Sequence, residues 1–385
     1  MNGARALVTR VTLRIGLLLA VHAACAAADA RAADGEETPS DTPVPVPEQA
    51  EAYKGEGLVV VPLAMYSPET HVGLGGLLVR FFRVGDSPVE SRVSSISVIA
   101  LVTTRHQAII ECLPELYWDN ENNYLAARLE YQRYPDSFWG VGDDTPEDAE
   151  ERYLRERLRL RITPRRRITG PFYAGLNSDF MLQKGTYSDT GIFATEDVPG
   201  ENGGFTSGIG PAASYDTRDN TVSSRAGTLL QAAWVGFSEI IGSRYDFWKL
   251  QTEARQFIPV GRESALGFRY YGEFQNGDVP FYHMAMLGGD ELLRGYFLGR
   301  YRDHQMIALD AEYRFPLFWR FGAVAFAGVA EVAAAPKDFD FDPLRWAVGG
   351  GLRYALSKEE RLNLRLDAGV GPDTFGVYFT AREAF

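Results

Sequence analysis

Side chains that could carry chemistry are sparse in this chain, and their spacing points to ion pairing rather than catalysis. Beyond residue 33 the histidines are His71, His106, His283 and His304; no two have metal-pair spacing and no HExxH occurs. No serine lies in a GxSxG elbow, and the glycine clusters at 73–76 and 203–210 fit neither a phosphate loop nor a dinucleotide fingerprint. Cys25 and Cys112 form no CxxC and no Cys/His cluster. The sequence therefore implies no metal, no cofactor and no enzyme, and only a triad assembled from distant positions stays open as a route to catalysis. Three groups of charges stand out instead. Arg155, Arg157, Arg159 and Arg161 share one parity, opposite Leu154, Leu158, Leu160 and Ile162. Arg294 stands alone in a long glycine-bearing connection, and Asp310, Glu312 and Asp367 alternate with apolar residues.

Side chains spaced this way are positioned by strands. From residue 58 onward polar and apolar residues alternate with period two, broken by Gly, Pro, Asn and Asp clusters. In 305–317, Asp310, Glu312 and Arg314 oppose Ile307, Leu309, Ala311, Tyr313 and Phe315. In 361–367, Arg361, Asn363, Arg365 and Asp367 oppose Leu362, Leu364 and Leu366, and in 264–274, Arg269, Tyr271 and Glu273 oppose Leu266, Phe268 and Tyr270. A soluble sheet would bury the apolar face; a membrane barrel would turn it to lipid and the charged face to a lumen. Soluble strands average about 5–6 residues and spanning strands about 9–11, so the length of these segments selects the membrane. Tyr117-Trp118, Phe138-Trp139 and Phe318-Trp319 sit where such a barrel carries aromatic girdles.

The alternation predicts strands over 58–66, 71–84, 92–104, 106–117, 122–133, 151–163, 171–184, 205–216, 225–238, 244–257, 263–274, 304–315, 320–333, 344–355, 361–370 and 374–383. Their even number suits a closed barrel, and closure leaves no backbone edge unpaired in hydrocarbon. The fold class is thus all-β, a sixteen-stranded antiparallel transmembrane β-barrel over 57–385, with a long loop between strands 11 and 12. In that barrel the arginine stripe faces the lumen, either as an anion-selecting surface or as a ladder balanced by acids on neighbouring strands.

The 51 acidic and 39 basic residues, a net charge of -12, argue against nucleic acid as partner. At the N-terminus Arg5, Arg10 and Arg14 precede the apolar Ile15–Val21 stretch, followed by Ala28-Asp29-Ala30 and Ala30-Arg31-Ala32, which reads as an export signal over 1–32. A short anchor and lipidation at Cys25 are the alternatives. Residues 33–56 hold four prolines and seven acidic residues and read as a short acidic periplasmic segment rather than a domain.

The segment Leu287-Gly288-Gly289-Asp290-Glu291-Leu292-Leu293-Arg294-Gly295-Tyr296, followed by Glu312-Tyr313-Arg314-Phe315-Pro316-Leu317, resembles the barrel domain of the BamA/TamA superfamily, the bacterial surface antigens. Tyr215-Asp216-Thr217-Arg218-Asp219-Asn220, Gly349-Gly350-Gly351-Leu352-Arg353-Tyr354 and Arg365-Leu366-Asp367 match it too, so the resemblance spans roughly 205–385. It implies that the long loop folds inward, that its tip Leu293, Arg294, Gly295 and Tyr296 lies in the lumen, and that Arg294 pairs there with carboxylates. The alternation supplies Asp310, Glu312 and Asp367 as partners. Phe385, ending an alternating strand, looks like the signal that such barrels present to their assembly machinery. Where the family often places an aspartate facing the loop arginine, this chain has Gly328, and 33–56 is too short for the family's periplasmic modules.

The resemblance implies an outer-membrane protein of a Gram-negative bacterium that acts in protein insertion or translocation. Its partners would be outer-membrane lipid, the barrel assembly machinery, and unfolded outer-membrane proteins or a periplasmic accessory protein. A passive or gated pore is the first rival, and a structural surface barrel the second. An insertion factor, unlike a pore, calls for a weak junction between the first and last strands.

Overall fold

A computed structural model describes residues 57–85, 94–119, 122–220, 223–261, 263–341, 344–358, 361–381 and 383–385. The expected signal over 1–32 and the acidic segment over 33–56 lie outside the described residues. The strands are β1 (Gly57–Ser67), β2 (His71–Phe82), β3 (Ser94–Thr103), β4 (Ala108–Trp118), β5 (Asn123–Phe138), β6 (Glu151–Thr169), β7 (Phe172–Thr186), β8 (Gly204–Asp216), β9 (Gly227–Phe237), β10 (Phe247–Val260), β11 (Ser264–Gly277), β12 (Ala285–Leu287), β13 (Tyr301–Asp303), β14 (Gln305–Phe318), β15 (Phe321–Ala333), β16 (Arg345–Ser357), β17 (Leu362–Gly371) and β18 (Thr374–Ala381). Among the described residues sixteen of them close one antiparallel barrel, while β12 and β13 form a separate hairpin-like pair inside the β11–β14 connection. Period two did this. Over much of the barrel the strands bury one parity and expose the other, as a pleated chain allows, while both parities are buried at Ser178–Met181 of β7 and Ala330–Ala333 of β15.

The parity is that of a membrane barrel. On β14, Asp310, Glu312 and Arg314 are buried, whereas Leu309 and Tyr313 are exposed. On β17, Arg365 and Asp367 are buried while Leu366 is exposed, and on β11 Arg269 is buried while Phe268 is exposed. No described helix is long and apolar enough to cross a bilayer. The connections 139–150, 187–203, 238–246 and 278–304 gather at one end, the loop rim; the tight turns 170–171 and 319–320 gather at the other, the turn rim.

Several boundaries differ from the alternation: β5 runs on to Phe138 rather than 133 and β6 to Thr169 rather than 163. The last strand stops at Ala381 instead of running to 383, and Phe385 lies off the strand, buried against Phe257.

Candidate functional site

Residues 278–304 pack within the barrel. Val279, Phe281 and Met284 join Phe138, Tyr153, Val235, Phe237 and Phe247 of the walls in one apolar cluster, and Leu287, Leu293 and Tyr296 join Tyr271, Met306, Ala330 and Ala347 in a second. The buried His283 ring lies 5.0 Å from Phe237 and 5.1 Å from Phe247, and its Nε2 is 3.0 Å from Thr206 Oγ1. An apolar anchor therefore seats the first part of the loop, and polar contacts seat its tip.

The tip is built around one guanidinium. Arg294 is 2% exposed; its Nη1 donates to Asp367 Oδ2 at 2.6 Å and its Nη2 donates to Glu312. The Phe326 ring lies beneath, its centroid 3.6 Å from Cζ, in cation–π contact. Glu312 also accepts from Arg314 Nε at 2.8 Å, and Asp367 also accepts from Arg353. The carboxylates thus alternate with guanidiniums, a charge-assisted arrangement whose geometry is specific because Arg presents a planar fork. Beside it Arg365 Nη2 donates to Asp290 Oδ2 at 2.6 Å, which fixes the loop again upstream of the tip.

Backbone contacts complete the seat. Gly295 adopts φ 128 and packs against the backbone of Gly369, where a side chain on Gly369 would strike the Arg294 carbonyl. Gly295 N–H donates to Tyr378 Oη at 3.0 Å and Thr374 Oγ1 donates to the Gly295 carbonyl at 2.7 Å, so the tip is tied to β18. Tyr296 Oη donates to the Trp346 carbonyl at 3.3 Å. A few residues on, Leu298 N–H donates to Glu69 Oε1 at 2.8 Å in the β1–β2 turn. The loop therefore holds both the last strand and the first turn from inside.

The sequence-selected residues divide as follows. Glu312 and Asp367 meet Arg294; Asp310 lies buried on the same wall but accepts the backbone N–H of Leu293, and among the described residues the ion pairs of Arg294 are to Glu312 and Asp367. At the Gly328 position a Cβ would come within 2.5 Å of Asp310 Oδ1, so Asp310 fills the space that a side chain there would need. Arg155, Arg157, Arg159 and Arg161 line the lumen side of β6. Arg155 pairs with Asp136 at 3.3 Å, Arg157 with Glu130 at 2.7 Å and Arg159 with Asp179 at 2.6 Å, while Arg161 borders a polar cavity shared with Asp179, Lys249 and Glu291. Arg353, Phe326 and Tyr378 were not singled out from the sequence, although the inward parity of Arg353 in Gly351-Leu352-Arg353 was a usable signal.

Closure of the barrel is uneven. β1 pairs with β2 from Gly57↔Phe81 to Ser67↔His71, its whole length, but among the described residues its register with β18 is the single pair Tyr66↔Phe379. β18 in turn pairs with β17 from Leu364↔Ala381 to Gly371↔Thr374. The seam is thus ladder-bonded near the loop rim, with no further register pair toward the turn rim among the described residues.

Residues 114–370 match the model of the Omp85 superfamily domain. In fold the chain is similar to BamA from Haemophilus ducreyi lacking POTRA domains 1-3, with 12% identity, a TM-score of 0.60, and coverage of 85% of this chain and 70% of that one. It is also similar to CdiB from Escherichia coli, at 12% identity and a TM-score of 0.59, and to CdiB from Acinetobacter baumannii, at 12% identity and a TM-score of 0.54. It spans 62% and 59% of the length of those two chains, and they cover 84% of it in each case. No curated protein matches the sequence.

Proposed function

This chain belongs to the Omp85 superfamily, and from that premise we propose that it works in the bacterial outer membrane as a protein-insertion or translocation barrel. The observation that carries the reading is the seam: among the described residues one registered pair joins β1 to β18, which leaves most of the edge of β1 available to another strand. A sheet edge in hydrocarbon is costly unless it is paired, so an edge left in this state favours strand addition by an incoming chain. The loop supports the same reading, because it grips β18 through Gly295 and the β1–β2 turn through Leu298 and so keeps the two sides of the seam in place while the rest opens. In this orientation the loop rim faces outward and the turn rim faces the periplasm.

The pore reading fits less well. Residues 278–304 occupy the lumen, and Arg155, Arg157 and Arg159 each hold a carboxylate, which favours a balanced ladder over an anion-selecting stripe.

The test is the folding rate of an unfolded outer-membrane barrel in liposomes carrying this protein, against empty liposomes. Acceleration is expected. In a Cys112→Ala background, a disulfide formed between Ala64→Cys and Ala381→Cys, which closes the seam beyond the Tyr66↔Phe379 pair, should abolish it and reduction restore it. Equal rates with and without the protein would sink the proposal.

A further inference from the structure

The chain beyond β18 does something that its own alternation forbids. After Ala381 the chain leaves the sheet, and Glu383, Ala384 and Phe385 enter the lumen at the turn rim. Phe385 is buried against Phe257 and sits over Gly267, with the guanidiniums of Arg314 and Arg269 at 5.3 Å and 5.9 Å from its ring centroid. Arg314 Nη2 donates to its main-chain oxygen at 2.6 Å. Glu383 accepts from Arg353 Nε at 2.7 Å and from Asn363 Nδ2 at 2.8 Å.

The alternative path can be read from the register. With Tyr66 opposite Phe379, a straight β18 would bring residue 381 opposite Ala64, 383 opposite Pro62 and 385 opposite Val60. Val60, Pro62 and Ala64 are all exposed on the outer face of β1. Phe385 would be well placed there, beside lipid. Glu383 would not, since its parity in the strand aims the carboxylate at hydrocarbon, where a charge is penalised more the deeper it lies. Within the lumen the same carboxylate meets Arg353 and Asn363.

We propose that Glu383 is a latch that keeps the seam open, holding residues 383–385 inside the barrel and away from β1. The two paths are exclusive: either Glu383 is bound to Arg353, or the last residues zip onto β1 and lengthen the Tyr66↔Phe379 ladder toward the turn rim. The inference rests on the proposed role of the seam and assigns its regulation to one side chain. An apolar residue at 383 removes the obstacle to zipping, so the wild-type carboxylate trades barrel closure for an available edge.

The experiment uses the full chain in liposomes, without any client protein, in a Cys112→Ala background with Ala64→Cys and Ala381→Cys. Oxidative disulfide yield reads the seam, and an Ala311→Cys/Ala327→Cys pair in the closed β14–β15 ladder defines full yield. With Glu383 present the seam yield should be low; Glu383→Leu should raise it at least about five-fold, Glu383→Gln should raise it less, and Glu383→Asp should leave it low. If Glu383→Leu does not fold, as judged by heat-modifiable migration, the Gln variant carries the comparison. Equal yields for Glu383, Gln and Leu, or a full yield with Glu383, would overturn the latch. A shifted yield without any change in client folding rate would uphold the latch and count against the insertion role.

Discussion

The seam separates two walls of opposite character. On one side β14, β16 and β17 turn Glu312, Arg314, Arg353, Arg365 and Asp367 inward, each bound to a partner of opposite charge. On the other, β2, β3 and β4 turn Leu77, Val79, Phe81, Ile99, Leu101 and Ile109 inward while exposing Leu74, Leu78, Val98, Val102 and Ile110 outward. Both walls are antiparallel ladders with the same backbone hydrogen bonds. They differ in what a slip of one residue would cost. In the charged wall it would throw Glu312 and Asp367 into lipid; in the apolar wall it mostly exchanges one aliphatic face for another, apart from Glu111 and its ion pair with Arg128 at 3.1 Å. The charged wall is a frame for the loop, and the apolar wall is the compliant side. The family match begins at residue 114, after most of that compliant side.

The contrast breaks most sharply at Arg294. Arg294→Ala leaves two buried carboxylates short of a counter-charge, at a cost of about 3–5 kcal/mol, read as protease cleavage within 278–304 and earlier heat-induced unfolding. Arg294→Lys should recover only part of this, because an ammonium cannot bridge both acids as a fork does. Ile99→Ala probes the other wall. Its fully buried side chain should cost about 2–5 kcal/mol by leaving a cavity, against a much smaller effect of Leu366→Ala on the lipid face of the charged wall. Arg159→Gln in the ladder should cost about 1–3 kcal/mol through Asp179, with no change in conductance.

The smallest effect sharpens the link between the walls. Burial pushes the Glu69 carboxyl above the usual range. A raised acid contributes stability that is present at low pH and lost as pH rises through its folded value. Glu69→Gln keeps an acceptor for Leu298 N–H and removes the charge, so it should melt slightly higher than the wild type at about pH 8 and together with it at about pH 4.

Much of this barrel was legible in period two. All sixteen strands are legible, most within a few residues although the ends of β5 and β6 run on to Phe138 and Thr169, and the inward parity of Asp310, Glu312 and Asp367 follows from Leu309, Tyr313 and Leu366 alone. Parity assigns a face but no neighbour. That is why Asp310 could not be told from Glu312 as a partner of Arg294, and why Arg353, which reaches Asp367 from the adjacent strand, was passed over. The seam was beyond reach because it joins residues more than 300 positions apart, and no local pattern states how many pairs a closure makes. At 374–383 the pattern misled: alternation ran on through Glu383, whose charge has the wrong parity for lipid, and the conflict was settled by leaving the sheet.

The strands also differ in length. β6 has 19 residues and β18 has 8, a difference of about 36 Å of strand at about 3.3 Å per residue. A bilayer asks for about 9–11 residues, so β6 projects beyond the hydrocarbon while β18 falls short of it, and the inward turn of 383–385 keeps it short. Lipid packed against β18 has to thin or tilt to cover the step, at a fraction of a kcal/mol per Å of mismatch. Beside the seam the load of that mismatch falls on the membrane rather than on the protein.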